Sequence, residues 1–238
     1  MKATALEFRL RYWIHTAIYV LGFAVPWNHW LHLDTIRTWQ FLAAWVSRTG
    51  WLGFSGATIA VLVVGILFAF AGAALRTWGS AYLGASVVID AAMHGERMIA
   101  AGPYRRTRNP LYLGTFLHTL ALVLLTLPSG AIFTIVLIGL FQLRLIFAEE
   151  SYLSAKLGEP YREYCAKVPR LLPALTPRVP DSGARPAWAM AFVGELYMWG
   201  VFVSFAALGW LYNSMLILQG VLVSLGASLV ARAFIPKR

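Results

Sequence analysis

Apolar and polar positions along this chain alternate on the scale of whole membrane spans. Residues 51–75 run for 25 positions without a charged side chain, and residues 111–143 for 33. A helix needs about 20 apolar residues to cross the hydrocarbon core. The first stretch is therefore one span. The second is long enough for two, because Leu127-Pro128-Ser129-Gly130 interrupts it with turn residues. It reads as a helical hairpin with a very short outer connection. An earlier apolar run covers 12–27, includes His15, and reaches span length only if it continues to Leu33. Residues 34–48 mix Trp39, Phe41, Leu42 and Trp45 with Arg37, Gln40 and Arg48, a pattern suited to a segment lying in the interface. Two more apolar runs, 187–211 and 215–231, flank a turn at Asn213-Ser214. The expectation is an all-α integral membrane protein of about six transmembrane helices, with a helical-hairpin core and a cytoplasmic segment covering a cofactor. Within 51–75, Gly65, Ala69 and Ala73 recur every four residues, which permits close helix packing.

Two polar sections separate the spans, 76–109 and 148–186. The first contains apolar patches at Tyr82-Leu83-Gly84 and Val87-Val88-Ile89, and 97–101 has helical character. The second starts helical and ends rich in proline. The chain divides accordingly into N-terminal membrane helices (1–75), a core section (76–180) and a C-terminal membrane hairpin (181–238).

Composition supports the membrane assignment: 59% of the 238 residues are hydrophobic and 13% charged, against about 25% charged in soluble domains. With six spans, 18 of the 20 lysines and arginines fall on one side, and only Arg37 and Arg48 on the other. The positive-inside rule then puts both termini and both polar sections in the cytoplasm, at the inner membrane in a bacterial source. The formal net charge of +10 is explained by that rule and by anionic lipids rather than by nucleic acid. No small-residue cleavage site follows the first apolar run, where Pro26, Trp27 and Asn28 stand, so the segment reads as a retained helix. The single cysteine, Cys165, excludes an intrachain disulfide, and the five histidines are too few and too scattered to indicate a metal centre. No dinucleotide, phosphate-loop or serine-nucleophile signature occurs.

The richest stretch is Gly102-Pro103-Tyr104-Arg105-Arg106-Thr107-Arg108-Asn109-Pro110-Leu111-Tyr112-Leu113-Gly114. Three arginines meet an apolar helix there without a polar spacer. Pro110 suits the first helical turn and Asn109 the N-cap position. A helix N-terminus with arginines beside it favours a carboxylate or phosphate. Neighbouring side chains diverge, so one or two of Arg105, Arg106 and Arg108 could take a substrate or cofactor carboxylate, while the rest face lipid headgroups. An equally weighted reading is a basic loop that only sets orientation.

Arg144, Glu149 and Glu150 lie where the hairpin's second arm leaves the membrane. Their spacing of five and six residues misses the three or four of helical neighbours, so each is expected to find its partner elsewhere. A charge at this depth tends to be functional, although adjacent glutamates also commonly begin a solvated face. Tyr161 and Tyr164, three apart, suit packing of a cytoplasmic helix. Glu195 is an intramembrane carboxylate and should face a partner or a water-filled cavity.

These motifs resemble the family of isoprenylcysteine carboxyl methyltransferases and phospholipid N-methyltransferases. The matching residues run from Val88-Ile89-Asp90 to Leu113-Gly114, and continue with Glu149-Glu150, Leu153, Gly158, Tyr161, Tyr164 and Val168-Pro169-Arg170. Together they span 76–173. The resemblance implies methyl transfer from S-adenosylmethionine to a lipophilic or lipid-like acceptor, with membrane lipids as partners and no metal. It implies cofactor-side roles for Tyr104, Asn109, Pro110, Tyr112, Gly114, Glu149 and Glu150, with Arg108 of the same motif beside them. Placement at the membrane boundary together with the match makes Arg144 and Glu150 the expected catalytic residues, with Glu149 supporting the fold or the cofactor. Asn109 stands where the eukaryotic pattern has histidine, and Leu157 where phenylalanine is usual. The segment after Ala187 lies outside the resemblance. Two alternatives remain. One is an NADPH-dependent membrane reductase of the steroid-reductase type, disfavoured because Thr115 and not glutamate follows Gly114. The other is a non-catalytic membrane scaffold.

Overall fold

The computed structural model describes residues 2–84 and 100–231, all of whose regular structure is helical. Val88-Ile89-Asp90, most of the expected 97–101 helix and the basic tail 232–238 lie outside the described residues. A short helix α1 (Ala5–Arg9) is closed by a capping box between Thr4 and Glu7. It leads into α2 (Arg11–Ala24) and a single turn, α3 (Asn28–Leu31). Then follow α4 (Thr38–Arg48) and α5 (Phe54–Leu83). A 3-10 turn over Gly102–Arg105 precedes α6 (Pro110–Leu122), which tightens into a further 3-10 turn at Val123–Leu125. The next helices are α7 (Pro128–Leu157) and α8 (Glu159–Lys167). The C-terminal part comprises α9 (Trp188–Gly194), α10 (Leu196–Val203) with a π-helical turn at Ser204–Leu208, and α11 (Ser214–Ala231).

Three helices among the described residues, α5, α7 and α11, are long and apolar enough to cross a membrane. The pair α9–α10, bent by 66°, adds a fourth if taken as one broken span. This is fewer than the six expected, for a reason of length. The α6 helix with its 3-10 extension, Pro110–Leu125, is about 24 Å long at 1.5 Å per residue. The α2 helix has 14 residues. It ends at Val25, which adopts a left-handed conformation, so the apolar run to Leu33 does not continue as helix. The hairpin connection is tighter than expected: Pro128 begins α7, with Ser129 and Gly130 inside its first turn.

Helix α5 is the centre of the bundle. The expected small-residue stripe is buried, with Ala69 and Ala73 fully so. A close approach of two backbones lies beside it, between Gly72 and Gly114. A β-carbon on Gly72 would stand 2.8 Å from the Gly114 carbonyl oxygen and 2.9 Å from the His118 nitrogen. The segment expected to lie in the interface does not keep all its tryptophans there. Trp39 is buried and donates to the Thr58 carbonyl at 3.0 Å, while Trp45 stays exposed. The reason is that α4 packs along α5, which buries one face of α4.

Candidate functional site

Residues from four segments converge at the end of the bundle that carries most of the basic residues. The site begins at the N-terminus of α6. Asn109 occupies the N-cap position but makes no side-chain cap. Its amide donates instead to Glu150 Oε1 at 3.1 Å and to the Arg170 carbonyl at 3.0 Å. Pro110 has no N–H to satisfy, and no side chain caps the first turn that it opens.

Glu149 and Glu150 are successive residues of α7, so they project about 100° apart. Glu149 turns towards α6 and accepts from the Tyr112 hydroxyl at 3.0 Å. Glu150 turns towards the basic loop. Besides Asn109, it pairs with Arg170 at 3.0 Å and with Arg108, whose Nε lies 3.0 Å away without forming a hydrogen bond. The Arg108 side chain is only 8% exposed, so Glu150 is its nearby counter-charge in a place with little solvent. Arg170 also lies over the Phe147 ring, 4.8 Å from its centroid.

The other arginines of the loop are engaged as well. Arg105 donates to the Val179 carbonyl at 2.9 Å and pairs with Asp181. Arg106 donates to the Leu175 carbonyl. Arg108 donates to the Cys165 carbonyl at 2.6 Å. The proline-rich segment 168–187 therefore lies across the loop as a strap. Backbone bonds fix its direction: Arg108 to Pro169 at 3.0 Å, Ala174 to Arg106 at 2.9 Å, Arg178 to Arg105 at 2.8 Å and Ser182 to Ala100 at 3.0 Å. These arginines, expected to face lipid headgroups or, for one or two of them, a ligand carboxylate, bond instead to this segment and to Cys165. The accepting carbonyls come from 57 to 74 residues away, beyond the reach of sequence spacing.

Tyr104 is buried beneath this arrangement. Its carbonyl accepts from the Tyr164 hydroxyl at 2.7 Å, and Tyr164 packs with Tyr161 and Val168 under the strap. The Tyr104 hydroxyl has no hydrogen-bond partner. Burial pushes its ionisation well above the usual phenol value. The Glu149 carboxylate pushes the same way, and Arg76 opposes. Gly114 stands where α6 crosses α5 and carries no polar group towards the loop.

Arg144 lies on α7 five residues before Glu149 and is partly exposed. It pairs with Glu7 at 2.8 Å, and its carbonyl accepts from the Ala3 N–H at 3.0 Å. Hydrogen bonds from the Thr4 backbone and from Arg144 hold the Glu7 carboxyl below its ordinary value. Lys2 adds a bond to Ser151 at 2.7 Å, so the N-terminal segment is anchored along the end of α7.

Two residues of this region stand outside the expected site, although Glu195 is expected to face a partner or a water-filled cavity. Arg76 and Glu195 form a bidentate pair at 2.6 and 2.9 Å, well inside the bundle. A carboxylate inside the apolar run 187–211 is the signal for Glu195, whereas Arg76 directly follows the run 51–75 and carries no such signal. Among the described residues, no three His, Cys, Asp or Glu side chains gather as a metal site would require.

The loop, α6 and the first part of α7 are one continuous stretch of chain, and it can be compared as such. Residues 60–159 match the phospholipid methyltransferase family. That match suggests membrane methyltransferase activity, and the matched segment holds every expected site residue. It ends at the start of α8, before the strap. No curated protein and no solved structure matches the chain.

Proposed function

We propose that the protein transfers a methyl group from S-adenosylmethionine to a lipophilic or lipid-like acceptor at the cytoplasmic face of the membrane. The observation that carries this reading is the buried, unpartnered Tyr104 hydroxyl, within the matched segment and under the influence of the Glu149 carboxylate. A buried polar group without a partner is costly and points to a bound group. The donor supplies an electrophilic methyl on a positively charged sulfur. Tyr104, Tyr112 and Glu149 offer aromatic faces and negative charge suited to such a cation. The uncapped first turn of α6 offers N–H groups suited to a carboxylate. Arg108 and Glu150 hold the strap that keeps water from the loop. Pro110 opens the helix, Gly114 lets it lie close to α5, and Arg144 holds the N-terminal segment against the wall. Transfer between aligned partners depends on position and dryness more than on an acid or base.

S-adenosylhomocysteine, the product of such a donor, should raise the melting temperature of the detergent-purified protein, since a ligand binding only the folded state stabilises it. Tyr112→Ala and Asn109→Ala should reduce that rise. A rise with NADPH and none with S-adenosylhomocysteine would move the protein to the reductase class. The cytoplasmic orientation has its own check. In a Cys165→Ser background, thiols placed at the exposed Thr49 and Asn213 should react with an impermeant maleimide added from outside the cell. Reaction from the cytoplasm alone would reverse the topology.

A further inference from the structure

An ion pair joins the C-terminal spans to the matched segment, beside a hydrogen bond from Trp199 to Thr77 at 2.9 Å and a shared apolar core. Glu195 stands at the break between α9 and α10 and is 3% exposed. Arg76 donates to both of its oxygens, at 2.6 and 2.9 Å, and the Ser80 hydroxyl adds a third bond at 2.6 Å. The remaining Arg76 nitrogen, Nη1, faces the other way. It donates to Thr115 Oγ1 at 2.8 Å and reaches the Leu111 carbonyl at 3.4 Å. Thr115 itself donates to Leu111 at 3.0 Å. A continuous set of hydrogen bonds thus runs from the broken span through Arg76 into the first two turns of α6. Those turns carry Tyr112.

Stability alone does not account for the pair. Replacing a buried ion pair by apolar residues of similar volume is often neutral or stabilising. What an apolar contact cannot do is aim a directional donor at one hydroxyl and one carbonyl of the neighbouring helix. We propose that Glu195 is a positioning residue for the methyl-donor site: it fixes Arg76, and Arg76 fixes the register of the first two turns of α6 opposite Tyr104. The last spans, beyond residues 60–159, then complete the site. This inference rests on the methyltransferase reading above.

Three full-length variants test it: Arg76→Met combined with Glu195→Leu, Glu195→Gln, and Thr115→Val. Each is measured for melting temperature, for S-adenosylhomocysteine affinity by calorimetry, and for hydrogen exchange of the amides at 111–116. The expected result for the apolar pair is a melting temperature close to wild type, affinity weakened roughly tenfold, and faster exchange at 111–116. Glu195→Gln and Thr115→Val should weaken binding in the same direction. If the apolar pair melts normally, binds like wild type and exchanges like wild type, the pair is only structural and the inference falls. If that variant does not fold, Thr115→Val decides: unchanged affinity and exchange overturn the proposal. Wild-type protein that fails to bind S-adenosylhomocysteine overturns the methyltransferase reading, and this inference with it. Normal wild-type binding with unaffected variants overturns this inference alone.

Discussion

Glu150→Ala should destabilise the protein by about 3–5 kcal/mol, the range for removing one partner of a buried charge pair. Its carboxylate gathers Asn109, Arg108 and Arg170. Without it, the Arg108 guanidinium keeps a charge in a place where it is only 8% exposed. The Asn109 amide loses one of its two acceptors, and Arg170 loses its ion pair to α7 and keeps only the Phe147 ring there. The strap should then lift from the basic loop, and methyl transfer should be lost through exposure of the site. Limited proteolysis within 172–182, where Leu172 and Leu175 are already exposed, reads the detachment directly. Thermal unfolding in detergent reads the stability. Glu150→Gln should retain the Asn109 contact and part of the strap's protection. A Glu150→Ala protein that melts and resists protease like wild type would show that Glu150 does not brace this region.

Gly72→Leu should prevent stable folding, and Gly72→Ala should cost about 1–3 kcal/mol, as overpacking does. The neighbours of a new β-carbon there are the Gly114 carbonyl and the His118 nitrogen, both backbone atoms of α6. Backbone within a helix cannot rotate out of the way as a flexible side chain can. Relief requires α6 to move off α5, and that movement would pull Thr115 from Arg76 and carry Tyr112 with it. Gly226→Ala is the control. A β-carbon at Gly226 meets nothing within 4 Å, so alanine there should be neutral or stabilising, by roughly 0.5–1 kcal/mol, through its better helix propensity. The comparison needs only melting curves of the three variants beside wild type. A Gly72→Leu protein with a wild-type melting temperature would mean that α5 and α6 are not in this contact.

The helical class and the membrane setting were legible in the residues alone. Long charge-free runs can satisfy their backbone groups in lipid only as helices. The order of GPY, RNPxYxG and the paired glutamates was legible too, because each motif is local, and all of them fall within the matched residues 60–159. Hydrophobic length was less decisive than it looked. The run 12–33 is apolar enough for a span, yet a left-handed Val25 ends the helix within it. The run 111–127 is cut short by the turn that starts α7. Hydropathy records composition, whereas helix ends depend on backbone conformation at single residues.

Helix packing sets which side chains pair. In sequence, Arg144, Glu149 and Glu150 form one cluster. In the fold their side chains leave α7 towards three neighbours: Glu7 from the N-terminus, Tyr112 from α6, and the arginines of the loop and strap. Glu195 was visible as an intramembrane carboxylate, but its partner is 119 residues away. A charge without a counter-charge nearby in sequence announces that some partner exists. The partner's identity is a matter of helix packing, which sequence spacing does not encode.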